Sequence, residues 1–328
     1  MPFADIVGHT KQLQTLRWAL EKDRLHHAYL FVGPEGIGKK TVAIALAMAV
    51  QCGERTHDFC GGCADCSRIR NGNHPDVRVV ELSTGKKEIS IQQVRDLQRE
   101  LAFRPFSGRK KIVVLDSAPL MNTSAQNALL KTLEEPPGDS LLILIATSTG
   151  GLLPTLLSRC LRLSFAPLPE ALVAGFLESN KKLRQEDARF LAATTMGSIG
   201  KAVSPDMAAL VERRKVWGEK LCSLTVGDYR GAMALAEELA GLREDSLKFL
   251  EWVEQWYRDI LIYSVKGNSR GICNLDMMQR IKQQAAHYSL QSVLFLLSDI
   301  VWAKAKIQRN INRRMTLESF FAHVISMQ

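Results

Sequence analysis

Phe31-Val32-Gly33-Pro34-Glu35-Gly36-Ile37-Gly38-Lys39-Lys40-Thr41 follows the apolar run Ala28-Tyr29-Leu30 and leads into Val42-Ala43-Ile44-Ala45-Leu46-Ala47. An apolar strand, a loop with glycines at 33, 36 and 38, a lysine and then a helix is the layout of a phosphate-binding loop. The glycines let backbone N–H groups turn inward around an anion, the helix points its positive end at it, and the lysine adds a mobile charge. The stretch predicts a nucleotide site, with strand 28–32 and a helix from Thr41 to Gln51 as the first βα unit.

One position departs from the pattern. It asks for Gly, four residues, Gly-Lys and then Ser or Thr, whose hydroxyl ligates magnesium. Gly33, Gly38 and Lys39 fit, but Lys40 holds the hydroxyl's place and Thr41 comes one residue late. A helix residue shifted by one points about 100° away. Phosphate binding is compatible with that change, whereas the usual magnesium geometry is not. A glycine-rich turn that binds nothing is the competing reading, and the register of Gly33, Gly36, Gly38 and Lys39 behind a strand argues against it.

Immediately downstream, Cys52, Cys60, Cys63 and Cys66 crowd into fifteen positions, while Cys160, Cys222 and Cys273 are scattered. Gly61 and Gly62 permit the tight turns that bring thiolates together. Four thiolates at tetrahedral reach favour Zn²⁺, and a closed cysteine set leaves no open position for catalysis, so a structural zinc site is expected. An unmetallated reduced loop and an iron–sulfur cluster are the alternatives. His57 and His74 are candidates to replace a ligand, though each reads better as an ordinary polar residue.

Further on, a strand at 76–82 is followed by a helix capped at Ser90 that carries Ile91, Val94, Leu97 and Leu101 inward. The loop 104–111 leads into strand 112–115, which ends in Asp116. An acidic residue at such a strand end is where a nucleotide-binding sheet places the carboxylate that organises Mg²⁺ and water. The next residue would be the base in a hydrolase of this kind, and here it is Ser117, which cannot take a proton from water at neutral pH. The magnesium hydroxyl and the base are thus both missing from their expected places.

A helix within 121–135 is stopped by Pro136-Pro137, a buried strand 141–146 ends at Thr147, and Ser158-Arg159-Cys160 precedes a strand at 161–165. Strands alternating with helices to about residue 166 predict a mostly parallel α/β sheet covered on both faces. Strand signals stop after Pro169. Residues 170–204 suit a small helical domain, and from Ser204-Pro205 onward the pattern is helical. Phe249, Trp252, Val253, Trp256, Ile260 and Tyr263 recur at three- and four-residue steps, the stripe of a helix-bundle core. Lys304, Lys306, Arg309, Arg313 and Arg314 are candidates to touch nucleic acid, with a solvated or subunit-facing surface as the stronger reading.

The 328 residues predict two or three domains, and the 46% apolar fraction is ample for packed cores. A net charge of +9 and a pI near 9.2 suggest a polyanionic partner. No charged-then-apolar leader opens the chain, and its apolar runs are too short to span a bilayer, so a cytoplasmic location is expected. Clustered cysteines then favour metal over disulfides.

With these residues together, the chain resembles the clamp-loader branch of the AAA+ ATPases, most closely its delta prime family from bacterial DNA polymerase III. The signs are His27-Ala28-Tyr29-Leu30-Phe31-Val32-Gly33-Pro34, the cysteine insert followed by His74-Pro75-Asp76, and Asn127-Ala128-Leu129-Leu130-Lys131-Thr132-Leu133-Glu134-Glu135-Pro136-Pro137. Ser158-Arg159-Cys160 is another, and a weaker one is the tail from Asn310 to Glu318. The resemblance implies an AAA+ RecA-like domain over 1–166 with a zinc module at about 52–66, a helical lid over 167–205, and an all-α oligomerisation collar over 206–328.

Position by position, it implies that Ile6, Val7 and Gly8 lie near an adenine, Lys39 contacts phosphate, and Asp116 is the Walker B carboxylate. Thr147 would be the polar sensor, Lys201 stands where a lid arginine often sits, and Arg159 would be an arginine finger reaching a neighbour's ATP. Arg159 as a helix-end residue in a salt bridge is the plainer alternative. Lys40 and Ser117 match a subunit that has ceased to hydrolyse ATP, so binding of ATP or ADP is expected to be weak or absent. The implied partners are the gamma/tau ATPase subunits, the delta subunit, the sliding clamp and primer-template DNA. Any polymerase label would belong to the whole assembly. Two other readings stay open: the motor ATPase subunit itself, which would want Ser or Thr at 40 and Glu at 117, and an AAA-like adaptor in DNA repair or recombination.

Overall fold

A computed structural model describes residues 3–54, 57–82, 88–106, 109–309 and 311–327. Ser107 and Gly108 of the expected loop 104–111, and Asn310 of the tail, lie outside the described residues.

Five short apolar segments become strands: β1 (Ala28–Val32), β2 (Val77–Val80), β3 (Lys111–Leu115), β4 (Ser140–Ala146) and β5 (Leu161–Ser164). They form one sheet in the order β2-β3-β4-β1-β5, with every neighbouring pair parallel. Every residue of β1 and β4 is buried, as expected of near-continuous apolar strands at the centre of a sheet covered on both faces. Parallel neighbours need long crossovers. Helix α1 (Thr10–Glu21) precedes β1, and the crossovers are supplied by α2 (Lys39–Gln51), α3 (Ala64–Arg70), α4 (Ile91–Leu101), α5 (Thr123–Glu134) and α6 (Pro154–Leu157).

Strand side chains alternate between faces, and two cores follow from that. Tyr29, Phe31, Ile143 and Ile145 pack with Leu16 of α1 and with Val42 and Leu46 of α2. Leu30, Leu142 and Leu144 pack on the opposite side with Val94 and Leu97 of α4 and with Leu129 and Leu133 of α5. The expected cap at Ser90 is present: its hydroxyl accepts from the Gln93 N–H while the Gln93 side chain returns to the Ser90 N–H. This is the parallel α/β sheet with a glycine loop after its first strand that the AAA+ resemblance implies.

The chain divides into two compact units, residues 1–176 with 196–201, and residues 177–195 with 202–328. The stretch 167–205 therefore contributes to both. In the second unit the helices include Pro205–Ser223, Tyr229–Leu239, Arg243–Lys266, Met278–His287, Leu290–Gln308 and Arg313–Ser326. Phe249, Trp252, Val253, Trp256 and Ile260 are all buried there. The Phe249 ring lies 5.5 Å from that of Trp217, and Trp252 lies 5.6 Å from Trp256. The stripe is core, as its period predicts, up to Ile260, whereas Tyr263 at its end is only half-buried. Arg214 is fully buried in this unit between Asp187 and Asp276, with its guanidinium 3.8 Å above the Phe190 ring. A buried cation so paired holds local geometry, because losing the arginine would leave two largely buried carboxylates without their counter-charge.

Candidate functional site

The glycine loop closes as its sequence requires. Gly36 and Gly38 take φ of 72° and 107°, a region that side-chain-bearing residues rarely adopt. Helix α2 begins at Lys39, two residues earlier than the expected Thr41, and the Val42 N–H makes a turn bond to the Gly38 carbonyl. The N–H groups of the first turn, at Lys39, Lys40 and Thr41, have no carbonyl within the helix to donate to. Lys39 is buried, and its Nζ donates to the carbonyls of Gly33 and Pro34, each at 2.6 Å. Burial lowers its pKa, while Asp116 and Glu35 pull the other way.

The segment 196–201 lies on this loop. The Gly200 N–H donates to the Gly36 carbonyl at 2.7 Å, and a methyl on Gly200 would fall 2.9 Å from the Gly36 backbone. Lys201 stands beside Gly36, and its N–H donates to the Ser198 hydroxyl. Gly8 takes φ of 75° against the Leu168 side chain, with Val7 half-buried beside it. His9, to which sequence reasoning gave no role, is buried in the left-handed region, and its Nε2–H donates to the Ile37 carbonyl at 2.7 Å. Its ring packs on Phe165, and burial holds its pKa below the usual histidine value, with Lys39 adding to the effect against the Ile37 carbonyl.

Asp116 follows β3 directly, and Ser117 follows it in a left-handed turn with φ of 62°. Thr147 follows β4 and is exposed, as is Thr41. In the place of the magnesium hydroxyl, the Lys40 ammonium is hydrogen-bonded to Glu81 and lies 3.7 Å from Asp116. Burial works against its charge, but the two carboxylates prevail and its pKa is raised. The donor set does not fit a divalent cation, since a cation already occupies the carboxylates and no hydroxyl faces them from this helix position. Glu81 was missed by sequence reasoning. Val80 pairs with Leu115, so Glu81 and Asp116 are the next pair beyond two adjacent strand ends, and acids closing both strands were the available signal.

Arg159 sits on the turn between α6 and β5, about a third exposed. Its guanidinium pairs with Glu134 Oε1 at 2.7 Å and donates to the Thr155 carbonyl at 2.8 Å. A cavity of about 710 Å³ opens there, lined also by His26, His27, Ser158 and Cys160. The two imidazoles stack with centroids 4.3 Å apart, and His27 Nε2–H donates to the Leu133 carbonyl. Burial, then the neighbouring His26, lowers the His27 pKa.

The cysteine cluster assembles as its spacing predicts. The Sγ atoms of Cys52, Cys60, Cys63 and Cys66 all lie within 4.8 Å of one another, close to the roughly 3.8 Å spacing of a tetrahedral Zn–S₄ set. Cys52 terminates α2, and Cys63 caps α3 by accepting from the Cys66 N–H. The Cys60 sulfur accepts from the N–H groups of Gly62 and Cys63, which draw its thiol down to about 6, whereas burial pushes Cys66 up to about 12. His74 stays outside this set. It is buried, its Nδ1 accepts from the Asp76 N–H, and its Nε2 lies 3.6 Å from Asp65.

Of the basic tail residues, Lys304 pairs with Glu254, Arg314 pairs with Glu237 and Glu318, and Arg313 donates to the carbonyls of Ala240 and Gly241. No helix among the described residues is long and apolar enough to cross a membrane.

Two family models match, one described as DNA polymerase III, delta subunit, over residues 8–169, and one as its C-terminal part over residues 218–324. The DNA polymerase III subunit delta' of Bacillus subtilis is 30% identical over 94% of this chain and 92% of its own length. That of Pseudomonas aeruginosa is 33% identical over 92% of each. The tau subunit of Bacillus subtilis is 27% identical over 91% of this chain, which spans 57% of that protein. Sheet order, glycine loop, cysteine cluster and full-length relatives agree, and the chain belongs to the delta' family of DNA polymerase III clamp-loader subunits.

Proposed function

We propose that this chain is a non-hydrolysing member of a clamp-loader heteromer, and that it supplies Arg159 in trans to ATP held by a neighbouring subunit. Its partners would be the tau/gamma ATPase subunits, the delta subunit, the sliding clamp and primer-template DNA, within the cytoplasmic replication machinery. The first unit would carry the nucleotide-binding-like domain with the four cysteines holding a structural zinc ion. The C-terminal helices would form the collar through which the subunits associate.

The observation that carries this reading is the pairing of a disabled site with a presented arginine. Lys40 and Ser117 stand where hydrolysis needs a hydroxyl and a base, yet Arg159 is held at a cavity rim with its guanidinium partly open to solvent. A finger supplied in trans neutralises transition-state charge and is worth about 10³–10⁵ in rate in related phosphoryl transfer. The intramolecular Glu134 pair would park the side chain until a phosphate competes for it.

The test is Arg159→Ala in the reconstituted complex, assayed for DNA-stimulated ATP turnover and clamp loading, with assembly checked by gel filtration. Turnover is expected to collapse in an intact complex. Unchanged turnover would make Arg159 structural and remove the mechanistic half of the reading.

A further inference from the structure

Between α4 and β3 the chain reads Ala102-Phe103-Arg104-Pro105-Phe106 and then, from 109, Arg109-Lys110-Lys111, with no acidic residue anywhere in 102–111. Phe103 and Phe106 are 70% and 84% exposed, the highest values of any phenylalanine, tyrosine or tryptophan among the described residues. Because every strand of the sheet is parallel, this segment lies at the edge where strands begin. The glycine loop, which follows the end of β1, lies at the opposite edge.

The two phenyl rings are presented on a backbone that is tied down on both sides of them. The carboxylate of Asp76 is fully buried, accepts the Phe106 N–H at 2.7 Å and pairs with Lys111 at 3.0 Å. Asp76 is itself fixed, since its N–H donates to His74 Nδ1. Arg109 donates to the carbonyls of Val50 and Cys52 at 3.0 and 2.7 Å. Pro105 restricts the backbone between the rings. Leaving two phenyl rings in water forfeits the burial that stabilises such side chains elsewhere, and a partner that covers them recovers it.

Arginines decide the kind of partner. Arg95 and Arg99 share a face of α4, about 6 Å apart along its axis, and Phe103 follows four residues later where the helix ends. Arg104 stands between the two rings in the sequence. Arg95 and Arg104 are exposed and make no ion pair among the described residues. Arg99 pairs only with its helical neighbour Asp96, an exposed pair of the kind that yields to a competing anion. Glu100, the other acid on this part of α4, is taken by Arg78. An apolar pocket on a protein would cover the rings but has no use for a row of arginines. A polyanion without flat faces would meet the arginines and leave the rings wet. Unpaired bases on a phosphate chain satisfy both.

We propose that this segment binds single-stranded DNA, with Phe103 and Phe106 stacking on unpaired bases and Arg95, Arg99 and Arg104 meeting the phosphates. The inference deepens the reading of primer-template DNA as a partner, rests on it, and narrows it to an unpaired stretch, since in a duplex the base faces are covered by their neighbours.

The deciding measurement is fluorescence anisotropy of a fluorescein-labelled oligothymidylate of about 20 nucleotides, longer than one such site, titrated with the full chain at low salt. A labelled duplex of the same length serves as the comparison. The wild type is expected to prefer the single strand, with a log–log salt slope of about −2, as three phosphate contacts give, and Arg104→Ala to bring the slope to about −1.4. Phe103→Ala combined with Phe106→Ala is expected to lose about thirtyfold or more. Phe106→Leu, which keeps an apolar side chain but has no ring to stack, is expected to lose about fivefold or more. Melting temperatures should match the wild type, because both rings lie outside the core.

A double variant that binds like the wild type would overturn the inference, and so would a wild type that binds the duplex as well as the single strand. Unchanged binding by Phe106→Leu would replace stacking with plain apolar contact and overturn it too. A wild type that binds neither oligonucleotide would instead remove direct DNA contact by this chain altogether. The role of Arg159 stands apart from all of these outcomes, since it is read from ATP turnover in the assembled complex.

Discussion

His9 shows how one side chain ties the glycine loop to the rest of its unit. Its Nε2–H donates to the Ile37 carbonyl inside the loop, its ring lies against Phe165 just beyond β5, and Lys39 repels a second proton. Burial, first among these effects, keeps the folded pKa below the usual 6.5. Between the two pKa values the unfolded chain binds more protons than the folded one, so the neutral ring's stabilisation is present above 6.5 and is lost as pH falls through that window. His27 is shifted the same way and adds to the same slope. Stability measured by urea denaturation is therefore expected to decline on acidification below neutrality. His9→Asn, which tolerates the left-handed backbone, is expected to remove up to one proton's share of the slope, about 1.4 kcal/mol per pH unit at most. A variant whose slope matches the wild type would show that His9 does not titrate differently in the two states.

At the scale of elements, the four-cysteine insert behaves as an extension of the main core rather than an appendage. Cys52 and Cys66 are buried in the same cluster as Val42, Leu46 and Phe59, and Arg109 donates to the Cys52 carbonyl from the far side of the loop before β3. Purified protein is expected to carry stoichiometric zinc by elemental analysis, and Cys63→Ser to lose it with a stability loss of about 4 kcal/mol, as befits loss of a metal. Retention of full stability without zinc would mean that packing alone holds the insert. Both this cluster and β1 were legible in the sequence, because a spacing of thiols and a run of apolar residues are local signals. The start of α2 was not: Lys39 and Lys40 look like loop residues, but Gly38 in the left-handed region lets the helix begin directly after it. Glu81 and Glu134 were hard to read for a different reason. Each matters through a partner, Lys40 or Arg159, that only strand pairing or helix packing brings near; an acid just beyond β2, matching Asp116 beyond β3, was the one signal for Glu81, and nothing around Glu134 records its proximity to Arg159.

For the whole molecule, the question is which surface of the helical C-terminal unit could hold a neighbouring subunit. Most of its large apolar side chains are buried in the stripe that includes Trp252 and Trp256, yet helix Leu290–Gln308 has a second, outward row. Leu290, Leu294 and Val301 are spaced by four and seven residues, with Phe295 and Trp302 alongside, and Trp302 is 64% exposed. Helical periodicity places these side chains on one side of the cylinder, opposite the buried Val293, Leu296 and Ile300. A row of this kind costs solubility unless something covers it, and a tryptophan with flanking aliphatics has the composition of an interface centre. If the proposed collar uses this row, Trp302→Glu combined with Leu294→Lys is expected to weaken association with the ATPase subunits by about tenfold or more, read by surface plasmon resonance. The melting temperature of the isolated chain should not fall, because neither side chain supports the core. Unchanged association would move the collar contact to another face of the bundle. Loss of association together with a lowered melting temperature would show that the row packs within the chain, and that its exposure is not what binds a partner.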